Sequence, residues 1–296
     1  MGNILYTKCL DLSNKKLKKL PDLTKYTNLK ILKCSNNELT ELNNLPNTLT
    51  ELHCYNNQLQ KLNNLPNTLT ELDCDNNQLQ KLPDLTKYTN LKILKCSNNK
   101  LTELNNLPNT LSELHCDNNQ LQKLNNLPNT LIELYCDNNQ LQKLNNLPNT
   151  LLLLNCNNNQ LTKLTNLPDK LIYLLCANNK LTELTNLPNT LATLNCGNNQ
   201  LIKLNIPNSI RALTCNNNLL TELHNLPKHM YWFICDYNQL LFTKIQELRK
   251  LNKFIKFFNL NKLLKLIFLY LVKKRCLKYK EELIIKTCHP SRLSFI

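Results

Sequence analysis

Glycine is almost missing from this 296-residue chain, present only at Gly2 and Gly197. That excludes a glycine-rich phosphate-binding loop and removes the residue most often used where a backbone turns left-handed. The opening stretch MGNILYTKCLDL lacks the long apolar core of a secretory signal. Gly2 is placed to accept myristate, but Tyr6 stands where that motif wants Ser or Thr. No Asn-X-Ser/Thr acceptor occurs despite the abundance of asparagine. There is no C-x-x-C zinc spacing and no Ser-His-Asp set. These absences lead us to expect no catalytic residue, no metal site and no cofactor.

Cysteine, by contrast, is plentiful at 14 residues, which in a small secreted protein would mean a disulfide framework. Here the cysteines recur at fixed core positions, so we read them as free thiols in a reducing compartment, cytoplasmic rather than secreted. Positive charge is plentiful too, but uneven. Residues 241–296 hold 14 of the 36 Lys/Arg and 3 of the 21 Asp/Glu, leaving 22 and 18 for residues 1–240. Basicity therefore belongs to the tail, and the chain as a whole does not read as a nucleic-acid binder.

Leucine and asparagine follow a strict rhythm. The block Leu49–Thr68, LTELHCYNNQLQKLNNLPNT, is followed at Leu69 by LTELDCDNNQLQKL, and the pattern runs almost to residue 240. Its skeleton is L-x-x-L-x-C-x-N-N-x-L-x-x-L-x-x-L-P-x-x. The cysteine falls at 34, 54, 74, 96, 116, 136, 156, 176, 196, 215 and 235, with Leu12 filling the slot in a first, atypical copy, which makes about twelve repeats. Pro21–Cys54 and Pro83–Cys116 are the same 34 residues except for Glu38/Lys100 and Thr50/Ser112, the mark of a duplicated three-repeat block.

Alternation at Leu49, Leu52 and Cys54 predicts a short strand with one buried face. One unit of this length buries too little apolar surface to offset its own ordering entropy, so copies must stack into a continuous core. Twelve strands at ~4.8 Å spacing would make an array roughly 55–60 Å long. The second asparagine of each pair (Asn57, Asn77, Asn99, Asn119) is expected to point inward and satisfy backbone groups of the adjacent turn. Asparagine also tolerates left-handed geometry, which explains how loops manage without glycine. Leu-Pro on the return limb (Leu65–Pro66, Leu107–Pro108) predicts an extended rather than helical convex side.

These units resemble leucine-rich repeats of the short kind found in bacterial effector proteins, with their L-P and N-x-L-x-x-L signature. The cysteine at the third core position and the Asn-Lys-rich wording are similar to giant-virus leucine-rich repeat proteins of the mimivirus type. The likeness covers residues 7–240. It implies an α/β-type right-handed horseshoe, with a parallel sheet on the concave face and an extended convex side. It also implies a protein partner, a host protein met in the host cytosol if the viral likeness holds. Bacterial effectors with similar repeats carry a large C-terminal ubiquitin-ligase domain with a catalytic cysteine. Only residues 241–296, with Cys276 and Cys288, follow the array here, so that activity is not expected.

Residues between the core positions should face the concavity, in two zones. The acidic zone holds Glu51, Glu71, Asp73 and Asp75, then Glu113, Asp117, Glu133 and Asp137. It reads either as a solvated face or as a docking surface for a basic partner. The apolar zone holds Ile132, Tyr135, Leu152, Leu153, Ile172, Tyr173 and Leu175, a grouping that a merely solvated face does not need. The histidines His53 and His115 are duplication twins about 14 Å apart, too far to share a proton or an ion.

The rhythm stops after Cys235. Residues 241–296 read as a basic helical segment that caps the array. Ile245-Gln246 with Lys250 resembles the start of a calmodulin-binding motif, although Ile255 departs from it. Phe254–Val272 is apolar and flanked by Lys273, Lys274 and Arg275, so residues 254–275 suit attachment to a membrane surface rather than a spanning helix. The expected function is a non-enzymatic protein–protein interaction module binding on the concave face. The alternatives are a membrane-associated scaffold held by that C-terminal segment, or a structural or virion component.

Overall fold

The computed structural model describes residues 6–224 and 226–240. Twelve three-residue strands recur once per repeat: β1 Cys9–Asp11, β2 Ile31–Lys33, β3 Glu51–His53, β4 Glu71–Asp73, β5 Ile93–Lys95 and β6 Glu113–His115. They continue as β7 Glu133–Tyr135, β8 Leu153–Asn155, β9 Tyr173–Leu175, β10 Thr193–Asn195, β11 Ala212–Thr214 and β12 Trp232–Ile234. All lie in one sheet in chain order. Neighbours are parallel and in register, so that Leu10 pairs with Leu32, Leu32 with Leu52, and Leu213 with Phe233. Between strands no helix or further strand occurs among the described residues, as the return-limb prolines require. There the turn closes when the leucine three residues on donates its N–H to the proline carbonyl, at 3.2 Å from Leu49 to Pro46.

Each strand is short because only its middle residue is a core residue. In the turn from Leu49, the buried side chains are Leu52 of the strand with Leu49, Cys54, Leu59, Leu62 and Leu65 around it. Most turns repeat this set with small changes, such as Met230 and Phe233 in the last, and the copies merge into one hydrophobic cluster running the length of the array. Two turns are longer, those holding Tyr26 and Tyr88. In the second, Tyr88 is buried and its hydroxyl reaches the Leu65 carbonyl at 3.4 Å.

All twelve described cysteines are free, eleven of them buried and Cys9 exposed. Burial pushes the Cys34 and Cys196 thiols up to about 12 and holds Cys54, Cys116 and Cys176 well above the usual thiol range. Several donate to the next turn, as Cys54 Sγ does to the Asp73 carbonyl at 3.3 Å. Thiolate is the reactive form, so these side chains act as small hydrophobes. In the native full chain, iodoacetamide should label Cys9 quickly and Cys34 through Cys235 only on unfolding. Mass spectrometry of timed samples checks this, and fast labelling of Cys116 would contradict it.

The asparagine pairs divide their work as the pattern suggests. The first of each pair has left-handed φ, from 55° at Asn36 to 50° at Asn217. A second left-handed asparagine recurs on the return limb, as at Asn64 (51°) and Asn146 (54°), so asparagine does the conformational work that glycine usually does. The second of each pair is buried. Asn139 Nδ2 donates to the Cys116 carbonyl of the preceding turn at 3.0 Å and to its own Cys136 carbonyl at 3.1 Å. Its Oδ1 accepts the Leu121 N–H at 2.9 Å. The same three bonds recur from Asn57 to Asn238, forming a ladder beneath the sheet edge.

The expected helical cap, the Ile245-Gln246 motif and the membrane-attachment stretch 254–275 all lie outside the described residues. Among the described residues no helix is long and apolar enough to cross a membrane.

Candidate functional site

The strand pattern leaves one broad surface free for chemistry: the face of the sheet turned away from the core. The first and third residues of each strand project there, and the residue two places beyond the strand extends the row. Of the residues assigned to the two zones from sequence, Glu51, Glu71, Asp73, Glu113, Glu133, Tyr135, Leu153, Tyr173 and Leu175 lie on this face, because each is the first or third residue of its strand; the others flank the strands.

The acidic zone is less open than its sequence suggests. On β3, His53 Nε2 lies 3.7 Å from Glu51, and on β6 its twin His115 lies 2.7 Å from Glu113. Lys95 of β5 reaches back to Glu71 of β4 at 3.4 Å. Glu133 of β7 accepts the Tyr135 hydroxyl at 3.0 Å. Burial and that bond push the Tyr135 phenol up to about 12, so it stays a donor. The Tyr135 ring stacks on His115, with centroids 4.3 Å apart and planes inclined by 25°. Thus Glu113, His115, Glu133 and Tyr135 form one network, whereas the sequence pattern sets Tyr135 in the apolar zone and the glutamates in the acidic one. The signal is present in the pattern: i, i+2 spacing on a strand puts Glu and His side by side.

A second acidic row, Asp75, Asp117 and Asp137, lies just beyond the strands. Asp75 accepts the Ser97 N–H at 2.6 Å, Ser97 bonds Asp117 through its hydroxyl, and Asp137 accepts Asn155 Nδ2 at 2.8 Å. Burial, with Asp73 beside it, pushes Asp75 up to about 7. Burial, with Asp117 beside it, pushes Asp137 up to about 6. Both folded values exceed the unfolded one, so the native state holds more protons and stability falls as pH rises from about 4 to 7. The melting temperature should therefore drop by a few degrees between pH 5 and pH 8. The Asp75→Asn/Asp137→Asn variant should flatten that slope, and a rising native profile would contradict the account.

The apolar zone is the more open. Tyr173 is 46% exposed and Ile132 39% exposed, while Leu152, Leu153, Ile172 and Leu175 are half-buried around them. Tyr135, the remaining member, is half-buried and engaged with His115 and Glu133. The core beneath is complete without them, since Leu134, Leu154 and Leu174 are buried. Two exposed aromatics at the far end, Tyr231 and Tyr237, have no role in the pattern read from sequence. Tyr237 has φ 55°, occupying the left-handed slot that asparagine fills in the preceding turns, and that break in pattern is the signal that could have flagged it. Among the described residues no group of three or more His, Cys, Asp or Glu is placed to hold a metal ion.

No family model and no curated protein matches the chain. Solved structures do. YopM from Yersinia enterocolitica WA-314 is 34% identical with a TM-score of 0.69, over 79% of this chain and 56% of that one. The chain therefore spans little more than half the length of that protein. The functional domain of InlJ from Listeria monocytogenes, described as including a cysteine ladder, is 26% identical with a TM-score of 0.60, over 80% of this chain and 64% of that one. YopM of Yersinia pestis, described as a leucine-rich effector protein, is 34% identical with a TM-score of 0.58. That alignment covers 79% of this chain and 78% of the Yersinia pestis protein, and on it the chain belongs to the leucine-rich repeat family.

Proposed function

We propose that this chain is a non-enzymatic protein-binding module whose partner docks on the concave, strand-bearing face. The observation that carries the reading is the apolar zone around Tyr173. Folding does not require it, since the core under β7–β9 is closed, yet it leaves a tyrosine and an isoleucine open to water. Contiguous exposed apolar groups rimmed by polar ones mark interaction surfaces. The acidic zone on β3–β7 borders it and supplies orientation and steering. That zone would repel nucleic-acid phosphates, so the partner is a protein. The reading takes a host protein as that partner, and the free buried thiols suit a reducing compartment such as the cytosol.

The test is affinity capture with the full chain and two sets of substitutions. Changes on the sheet face should remove the captured partner, whereas Lys123→Glu/Lys143→Glu, off the sheet and exposed, should keep it. Loss with the second set and retention with the first would overturn the reading.

A further inference from the structure

We propose that the partner segment docking on the sheet face is cationic, an inference that rests on the concave-face reading above. The segment is an extended stretch of another protein. It sets an apolar side chain on Tyr173 of β9 and, three residues along, an Arg or Lys between Glu113 of β6 and Glu133 of β7.

The sheet register carries the argument. Glu113 lies directly opposite Glu133, and Glu51 directly opposite Glu71. Like charges facing each other on adjacent strands work against folding, so the fold gains nothing from either pair. Along β3–β7 and the position two places beyond each strand, eight carboxylates stand against one lysine, Lys95, in a chain whose net charge is +15. Lys92 lies outside this row, before β5. Charges off the sheet are arranged differently. There both signs mingle and pair, as Lys81 does with Glu103 at 3.9 Å and Lys163 with Glu183 at 3.1 Å. A solvated surface mixes signs in that way, whereas a field of one sign draws in the opposite charge.

These carboxylates are hydrogen-bonded without being neutralised. Glu133 accepts the Tyr135 hydroxyl, Asp137 the Asn155 amide and Asp117 the Ser97 hydroxyl, and none of those donors is charged. Among the described residues only Glu71 of the eight ion-pairs with a lysine or arginine. Burial and the neighbouring Asp117 raise Asp137 to about 6, so a cation arriving there displaces a proton. The apolar contact comes from Tyr173 and Ile132, open to water beside half-buried Leu153 and Leu175. Strand spacing sets the pattern of the segment. From β9 to β7 is two strands, about 10 Å, which an extended chain covers in three residues at ~3.3 Å each. The duplicated glutamate pair begins at β4, three strands or about 14 Å beyond β7, which places a second cation four residues further.

Panning a phage-displayed library of random twelve-residue peptides against the full chain at pH 7.5 tests this. Peptides that bind the native chain and not Tyr173→Glu/Leu175→Glu should carry Arg or Lys three residues from a Leu, Ile or aromatic residue. Synthetic copies with Glu in place of those cations should bind the native chain at least about tenfold more weakly, a change made on the peptide and so without effect on the fold. Affinity of the cationic peptides should rise about tenfold from pH 5 to pH 7.5, because the bound state holds fewer protons at Asp75 and Asp137. Asp75→Asn/Asp137→Asn should remove most of that rise. Affinity that stays flat or falls over that range would overturn the proposal. Peptides that need Tyr173 and Leu175 but carry no cation would overturn it too, and would leave the docking face in place. Peptides indifferent to those two residues, or no enrichment at all, would overturn both.

Discussion

Asn139→Leu should be among the most destabilising substitutions in the array, lowering stability by about 2–6 kcal/mol, since one orphaned buried N–H costs about 1–3 kcal/mol and each of two lost bonds about 0.5–1.5 kcal/mol. The change leaves the Leu121 N–H without a partner in a dry core and takes one of two ladder bonds from each of the Cys116 and Cys136 carbonyls, which keep those from Asn119 and Asn159. Because each repeat contacts only its neighbours, a central lesion should also split the array into two weakly coupled blocks. Denaturant unfolding should then show a lower midpoint with a shallower or two-step transition. The neighbouring Asn138→Gly is the control. Asn138 is exposed with φ 51°, which glycine adopts freely, so that variant should stay within about 1 kcal/mol of the native chain. Equal effects from the two substitutions would mean that the ladder is not what couples the turns.

The second large effect concerns binding. Tyr173→Glu/Leu175→Glu should weaken partner capture by about 100-fold or more, the loss expected when an apolar anchor near the centre of an interface is replaced by charge. The fold should survive, because Leu174, the core residue between them, is untouched, and circular dichroism checks that. Glu71→Gln/Glu133→Gln should act differently. These carboxylates are already engaged by Lys95 and Tyr135, so their loss should mainly slow association and reduce its salt dependence. If the glutamate pair mattered more than Tyr173 and Leu175, the apolar anchor would be misplaced.

Much of the fold is legible in the residues because stacking physics constrains them tightly. Leu52 and Cys54 alternate because one strand face is buried. Asn57 recurs because a buried turn needs a donor and an acceptor at one point, and Pro66 forbids a helix on the way back. The open sheet face is under no such constraint and is less legible. Glu113 and Glu133 look like free charges in sequence, yet one pairs with its own strand's His115 and the other with Tyr135, and the two rings stack between strands. Asp75 and Asp137 look solvated, yet both are largely withdrawn from water. Such pairings depend on which side chains meet across strands, and a one-dimensional pattern does not order them. The helical reading of residues 241–296 lies outside the described residues, and there the pattern that governs the array has stopped.

Hydroxyl-radical footprinting of the full chain, alone and with its captured partner, tests the central claim most directly. Tyr173 is open on the sheet face and Ile202, 52% exposed, lies off it, so each molecule carries its own reference. The account predicts that oxidation of Tyr173 falls several-fold in the complex while that of Ile202 holds. Unchanged oxidation of Tyr173 together with protection of Ile202 would contradict it and move the partner to the other side of the solenoid.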